Sequence, residues 1–104
     1  MVCHAFQCLR GLEKVSESKL QSKVMKWLKA NNYWAMKVVV ANRAGIPDVI
    51  ACSPGGYFVA IELKYGSGKP SKLQEYNINE IKKNGGIAFV AWSLEEVENA
   101  LRLI

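Results

Sequence analysis

Residues 46–66, IPDVIACSPGGYFVAIELKYG, decide how this chain folds. DVIAC (48–52) and YFVAIELK (57–64) are apolar runs of strand length, rich in Val, Ile and Phe. Between them SPGG (53–56) supplies Pro then Gly, the residues a tight reversal needs. The stretch therefore reads as a hairpin of two strands. Charge collects at its open end: Asp48 begins the first strand, and Glu62 and Lys64 close the second. A hairpin centred near Gly55 brings position 48 opposite position 62, and residues two apart on a strand point to one side. One corner of the fold is thus expected to hold Asp, Glu and Lys together.

Such a corner has two readings. A buried charge is costly unless it is paired or binds a metal. A plain carboxylate–ammonium ion pair at a sheet edge answers that requirement with no chemistry. Alternatively, two hard oxygen ligands on a rigid edge suit Mg²⁺, which keeps waters for a substrate phosphate. The neighbouring ammonium then orients a hydrolytic water or steadies developing negative charge.

Working outward, residues 16–31 carry Leu20, Val24, Trp27 and Leu28 at helical spacing. On a wheel with Glu17 at zero they fall at about 300°, 340°, 280° and 20°. Glu17 lies inside this apolar arc, and Lys19, Lys23, Lys26 and Lys29 take the opposite face. An acid aimed at the core side suggests a functional role, although a first-turn acid after a Ser16 cap also favours the helix dipole. WAMKVVVA (34–41) reads as a buried strand, and NRAGIP (42–47) as a loop. After the loop YGSGKP, a second helix is expected over 71–84, stopped by Gly85-Gly86. Ser71 and Gln74 fit a capping box, yet Gln74 shares a face with Ile78 and Ile81, so its amide is a candidate for the charged corner. IAFVAW (87–92) is the fourth strand, and Ser93 with Glu96 opens a last helix over 94–104. The order αβββαβα predicts an α/β domain, a mixed sheet flanked by helices, spanning 1–104 as one unit.

Composition narrows the partners. The net charge is +5, and the excess lies in residues 1–47, which suits a polyanion such as nucleic acid. No apolar run is long enough for a membrane span, and residues 1–15 lack the pattern of a secretory signal. Three cysteines form no disulfide framework, which points to a reducing, cytoplasmic setting. Cys3, His4 and Cys8 are too crowded for a closed four-ligand zinc site. GSGKPS lacks the earlier glycine of a phosphate-binding P-loop, because position 63 is Leu. Residues 1–15 match no pattern; Val2, Phe6 and Leu9 would extend the first helix or pack on a second subunit.

GIPDVI, VAIELK and KPSKLQ, in that order, resemble the PD-(D/E)XK nucleases, with their restriction-endonuclease-like core, and within them the VRR-NUC (virus-type replication-repair nuclease) domain. The resemblance covers about residues 16–92. It implies a DNA endonuclease dependent on Mg²⁺ or Mn²⁺, with Asp48, Glu62 and the Leu63 carbonyl on the metal. Glu17 would complete the site, through a metal-bound water if not directly. Lys64 would position or activate the attacking water, with Gln74 in support. Lys69, Lys72 and Arg43 are candidates for DNA contact. Stand-alone domains of this size resemble phage Holliday-junction resolvases, which implies branched DNA and a homodimer. Tyr33, Trp34, Trp92, Phe6 and Leu9 offer apolar material for its interface. The alternatives are a flap or repair-intermediate nuclease, an inactive DNA-binding module, or a domain whose basic helix docks an acidic protein.

Overall fold

The structure is a computed structural model; it describes the backbone from residue 9 and the side chains of residues 17–104. The expectations for Cys3, His4, Cys8 and Phe6, and for the side chain of Leu9, lie outside the described residues. The elements are α1 (Leu9–Ala30), β1 (Trp34–Lys37), β2 (Val49–Cys52), β3 (Phe58–Leu63), α2 (Lys72–Lys83), β4 (Ile87–Ala91) and α3 (Leu94–Leu101). This is the expected αβββαβα order. The sheet runs β1-β2-β3-β4, with antiparallel β1–β2 and β2–β3 pairs and a parallel β3–β4 pair. It is an α/β fold with a mixed sheet.

The pleat of β3 divides the molecule. Val59, Ile61 and Leu63 are buried against Val24 and Leu28 of α1 and Val97 and Leu101 of α3. Ala60 turns the other way, onto Ala88 and onto Ile78 of α2. Helices therefore cover both faces, as near-continuous apolar strands require. α1 presents Leu20, Val24 and Leu28 to the sheet and leaves Lys19, Lys23, Lys26 and Lys29 exposed, matching the wheel. It begins at Leu9, seven residues before the expected Ser16 cap. It ends where Asn32 takes a left-handed conformation (φ 67°) that few non-glycine residues adopt.

Two expectations are corrected. The first strand is four residues long and mostly exposed, not a buried strand over 34–41. Its pairing with β2 ends at Lys37↔Val49, extended by one bond from the Val38 N–H to the Asp48 carbonyl (2.8 Å). Beyond that the partner strand reaches Pro47, which has no N–H to donate. Val39 and Val40 are left 84% and 87% exposed despite their β propensity. The last helix stops at Leu101 rather than 104, and Leu103 is exposed. Among the described residues, no helix is long and apolar enough to cross a membrane.

Candidate active site

The hairpin register is the one its centre at Gly55 predicts: Val49 pairs with Ile61, Ile50 with Ala60 and Cys52 with Phe58. Asp48, one residue before β2, reaches across this ladder and accepts the Leu63 backbone N–H on Oδ2 (2.9 Å). Glu62 lies near the end of β3, on the side of the pleat that faces α2. It is only 2% exposed, surrounded by the apolar strands that pack beside it. Lys64, two residues on, donates to Glu62 Oε2 from Nζ (3.2 Å). Gln74 donates to the same oxygen from Nε2 (2.9 Å).

Gln74 performs both of the roles read from the sequence. Its Oε1 accepts the Ser71 N–H (2.8 Å), and its own N–H is accepted by Ser71 Oγ (3.1 Å), a complete capping box. The box fixes the carbonyl end of the amide, which leaves its NH₂ directed at Glu62. Ser93 caps α3 in the simpler way. It accepts from the Glu96 N–H (3.2 Å), but Glu96 reaches past it to the Trp92 N–H (2.7 Å).

The second oxygen of Glu62 has no such partners. Oε1 is buried with no hydrogen-bond partner among the described residues. Burial pushes the Glu62 carboxyl above its ordinary value of 4.5, and the neighbouring Asp48 carboxylate pushes it further. Lys64 opposes the rise, and Glu17 adds a smaller push upward. A desolvated acid with a like charge beside it and an idle oxygen is an unfavourable arrangement for an apolar corner. A cation at that oxygen relieves each of these costs, so the residues present fit a hard divalent metal.

Glu17 is half-buried on α1, and its charge adds the smallest of the upward pushes on Glu62. The described residues contain no cluster of three acidic, His or Cys side chains that converges as a ready-made ligand set. Of the expected DNA-contacting residues, Lys69 and Lys72 are exposed on the loop before α2 and in its first turn. Arg43 is also exposed, with Nη2 donating to Asn77 Oδ1 (3.3 Å). The loop after Lys64 is held by Trp92, whose Nε1–H donates to the Gly68 carbonyl (2.8 Å).

No protein-family model and no curated protein matches the sequence. Solved structures do match the fold. One, a VRR_NUC domain, superposes with a TM-score of 0.73 over 83% of this chain and 94% of its own length, at 24% identity. The chain has the fold of a VRR_NUC domain. A second solved structure, a VRR_NUC domain protein, agrees: TM-score 0.70, 24% identity, 84% of this chain and 85% of that one. On the VRR_NUC fold of this chain, the carboxylate corner lies where the β2–β3 hairpin opens toward the N-terminus of α2.

Asn77 was not singled out from the sequence. It is 5% exposed in α2, one turn beyond Gln74, and hydrogen-bonds the loop that leads into Asp48. The wheel that picks out Glu17 would have found it, since Asn77 falls in the arc of Gln74, Ile78 and Ile81.

Proposed function

We propose that the corner of Asp48, Glu62 and Lys64 is the active centre of a nuclease that hydrolyses DNA phosphodiesters with Mg²⁺ or Mn²⁺. The observation that carries this reading is Glu62 Oε1, buried and without a partner beside a second carboxylate. A monodentate ion pair leaves that oxygen idle and desolvated at a cost, which a cation held there would remove. Asp48, Glu62 and the Leu63 carbonyl are the proposed ligands, with Glu17 acting through a water. When bound, the metal supplies Lewis-acid polarisation of the phosphoryl oxygen. Two solved VRR_NUC structures of the same fold support the class of activity.

Hydrolysis adds a water oxygen to phosphorus and expels an alkoxide, which takes up a proton. Lys64 is positioned for the charge that develops. Its ammonium is held on Glu62 Oε2 and its side chain is still 20% exposed, within reach of an incoming phosphate. Gln74 fixes the Glu62 carboxylate through the same oxygen, from α2. Lys69, Lys72 and Arg43 offer phosphate contacts around the corner, and most of the basic residues are Lys, which acts as a point charge. Affinity should therefore fall steeply with salt and vary little with sequence. Asp48, Glu62 and Lys64 line neither of two open cavities of about 540 and 430 Å³ among the described residues. A site on the surface suits a polymer backbone better than an enclosed small molecule.

The proposed substrate is branched DNA, cut by a cytoplasmic homodimer in the manner of a junction resolvase. Trp34, 63% exposed on the edge strand, is apolar material for such an interface, whereas Tyr33 packs on Trp27 within the subunit. The test is cleavage of four-way junction, flap, splayed-arm and duplex DNA with and without Mg²⁺ or Mn²⁺. Paired symmetric cuts in the junction, lost in EDTA and in Asp48→Ala, are expected. Metal-dependent nicking of flaps alone selects a repair nuclease. Full activity in EDTA refutes the mechanism.

A further inference from the structure

We infer that Asn77 is a positioning residue for the divalent-cation site, and that α2 sets the Asp48–Glu62 pair from both sides. This rests on the reading of the corner proposed above. From one side, Gln74 holds Glu62 Oε2. From the other, Asn77 holds the loop that delivers Asp48. The two residues are three apart, so they project from neighbouring positions on one helix face.

The Asn77 contacts all converge on that loop or on the helix itself. Nδ2 donates to the Gly45 carbonyl (3.0 Å), the Ala44 carbonyl (3.3 Å) and the Leu73 carbonyl (3.0 Å). Oδ1 accepts from Arg43 Nη2 (3.3 Å). One buried amide therefore gathers three consecutive loop residues, 43 to 45. Residues 39–47 belong to no helix or strand, and the β ladder ends with the Val38 bond to Asp48, so it does not hold them. Gly45 shows how tight the seat is. Its φ is +78°, and a Cβ there would lie 2.7 Å from Leu73 Cγ and 2.9 Å from Asn77 Nδ2. Pro47, fully buried with its fixed φ, then transmits the loop's position to Asp48.

An Asn is a costly choice for a buried helix position unless every polar atom is satisfied. Apart from Gln74, the face it occupies is apolar, with Ile78 and Ile81 packed on Ala60 and Ala88. A Leu at 77 would serve packing alone. An amide serves a loop whose carbonyls must be placed.

Equilibrium Mn²⁺ binding without DNA tests this, using the full chain, Asn77→Ala and Gly45→Ala. Asn84→Ala is the control: it removes a C-cap bond to the Glu80 carbonyl (2.8 Å) at the C-terminal end of α2, and the hydrogen bonds of Asn84 all stay within that end of the helix. Both loop variants should bind Mn²⁺ about 10- to 100-fold more weakly, the usual effect of removing a support behind a metal ligand. In cleavage assays the Mn²⁺ concentration for half-maximal rate should rise while kcat at saturating Mn²⁺ changes little. Asn84→Ala should lower Tm and leave Mn²⁺ affinity at the wild-type value. Wild-type affinity in either loop variant, folded by circular dichroism, overturns the inference, as does an equal loss in Asn84→Ala. A wild-type chain that binds no Mn²⁺, or binds it undiminished after Asp48→Ala, overturns the reading of the corner, and this inference with it.

Discussion

The two faces of β3 are made from alternate residues of one strand and do opposite things. Val59, Ile61 and Leu63 look toward α1 and α3 and form the main apolar core with them. Ala60, Glu62 and Lys64 look toward α2, where a small core of Ala60, Ile78 and Ala88 gives way to a carboxylate, an ammonium and two amides. A six-residue strand thus separates the main apolar core from the proposed active centre by the period-2 alternation of its side chains. The first face keeps the second rigid, and rigidity matters where ligand oxygens must stay within tenths of an ångström of their positions.

The sharpest way to break this division is to cut each face in turn. Glu62→Ala and Asp48→Ala should abolish DNA cleavage and leave circular dichroism unchanged. Ile61→Ala, one residue away on the other face, should cost about 2–5 kcal/mol of stability through the cavity it leaves. That is a large share of the roughly 5–15 kcal/mol that holds a domain together. Its folded fraction should nonetheless bind Mn²⁺ as the wild type does. Urea denaturation paired with cleavage assays separates the two outcomes. Loss of folding in Asp48→Ala, or loss of Mn²⁺ affinity in folded Ile61→Ala, would show that the faces are not independent.

The polar face should also be the pH-sensitive one. Burial and Asp48 raise the Glu62 carboxyl in the folded chain above 4.5. The folded state therefore holds its proton to higher pH than the unfolded state. The contribution of Glu62 to stability of the metal-free protein is fully present below the ordinary carboxyl value and is lost as pH rises from there through the raised one. Metal binding competes with that proton and must strengthen over the same window. Melting in EDTA and Mn²⁺ titrations at several pH values should therefore move in opposite directions. Glu62→Gln should flatten the melting profile. Glu17→Gln removes one of the charges that raise Glu62, so it should shift the window to lower pH, change stability by no more than about 1 kcal/mol, and lower activity. If cleavage and the window both stay in place, Glu17 has no part in the corner; α1 begins at Leu9, so a helix-dipole role is not the alternative.

The polar face is the more legible one in the sequence. Hairpin register follows from turn position and strand period, so the residues alone set Asp48 and Glu62 at one end of the hairpin. Lys64 follows by the same alternation, and the helical wheel gives Glu17 its direction. Pairing is harder to read than propensity. Val39 and Val40 look like strand, yet the partner segment reaches Pro47 and these two valines have no ladder to join. Asn77 is legible only in part: its place on the apolar arc of α2 is visible, but its acceptors lie 32 and 33 residues away on a loop of irregular backbone. No local pattern encodes such a contact.

The smallest expected effect compares two helix caps. Ser71 and Ser93 each accept a backbone N–H three residues on, at 3.1 and 3.2 Å, and each Ser→Ala change should cost about 1 kcal/mol. Only one cap is joined to the polar face. Gln74 completes the Ser71 box and also grips Glu62, so a loosened first turn of α2 lets that amide wander from the carboxylate. Glu96, the corresponding side chain on α3, bonds the Trp92 N–H instead of a residue of the corner. At matched loss of stability, Ser71→Ala should lower kcat measurably and Ser93→Ala should not. Gln74→Ala should lower kcat further than Ser71→Ala, because it removes the grip itself rather than its tether. Equal kcat in the two cap variants would mean that Gln74 is held by Glu62 alone, and that the capping box is a structural feature independent of the chemistry beside it.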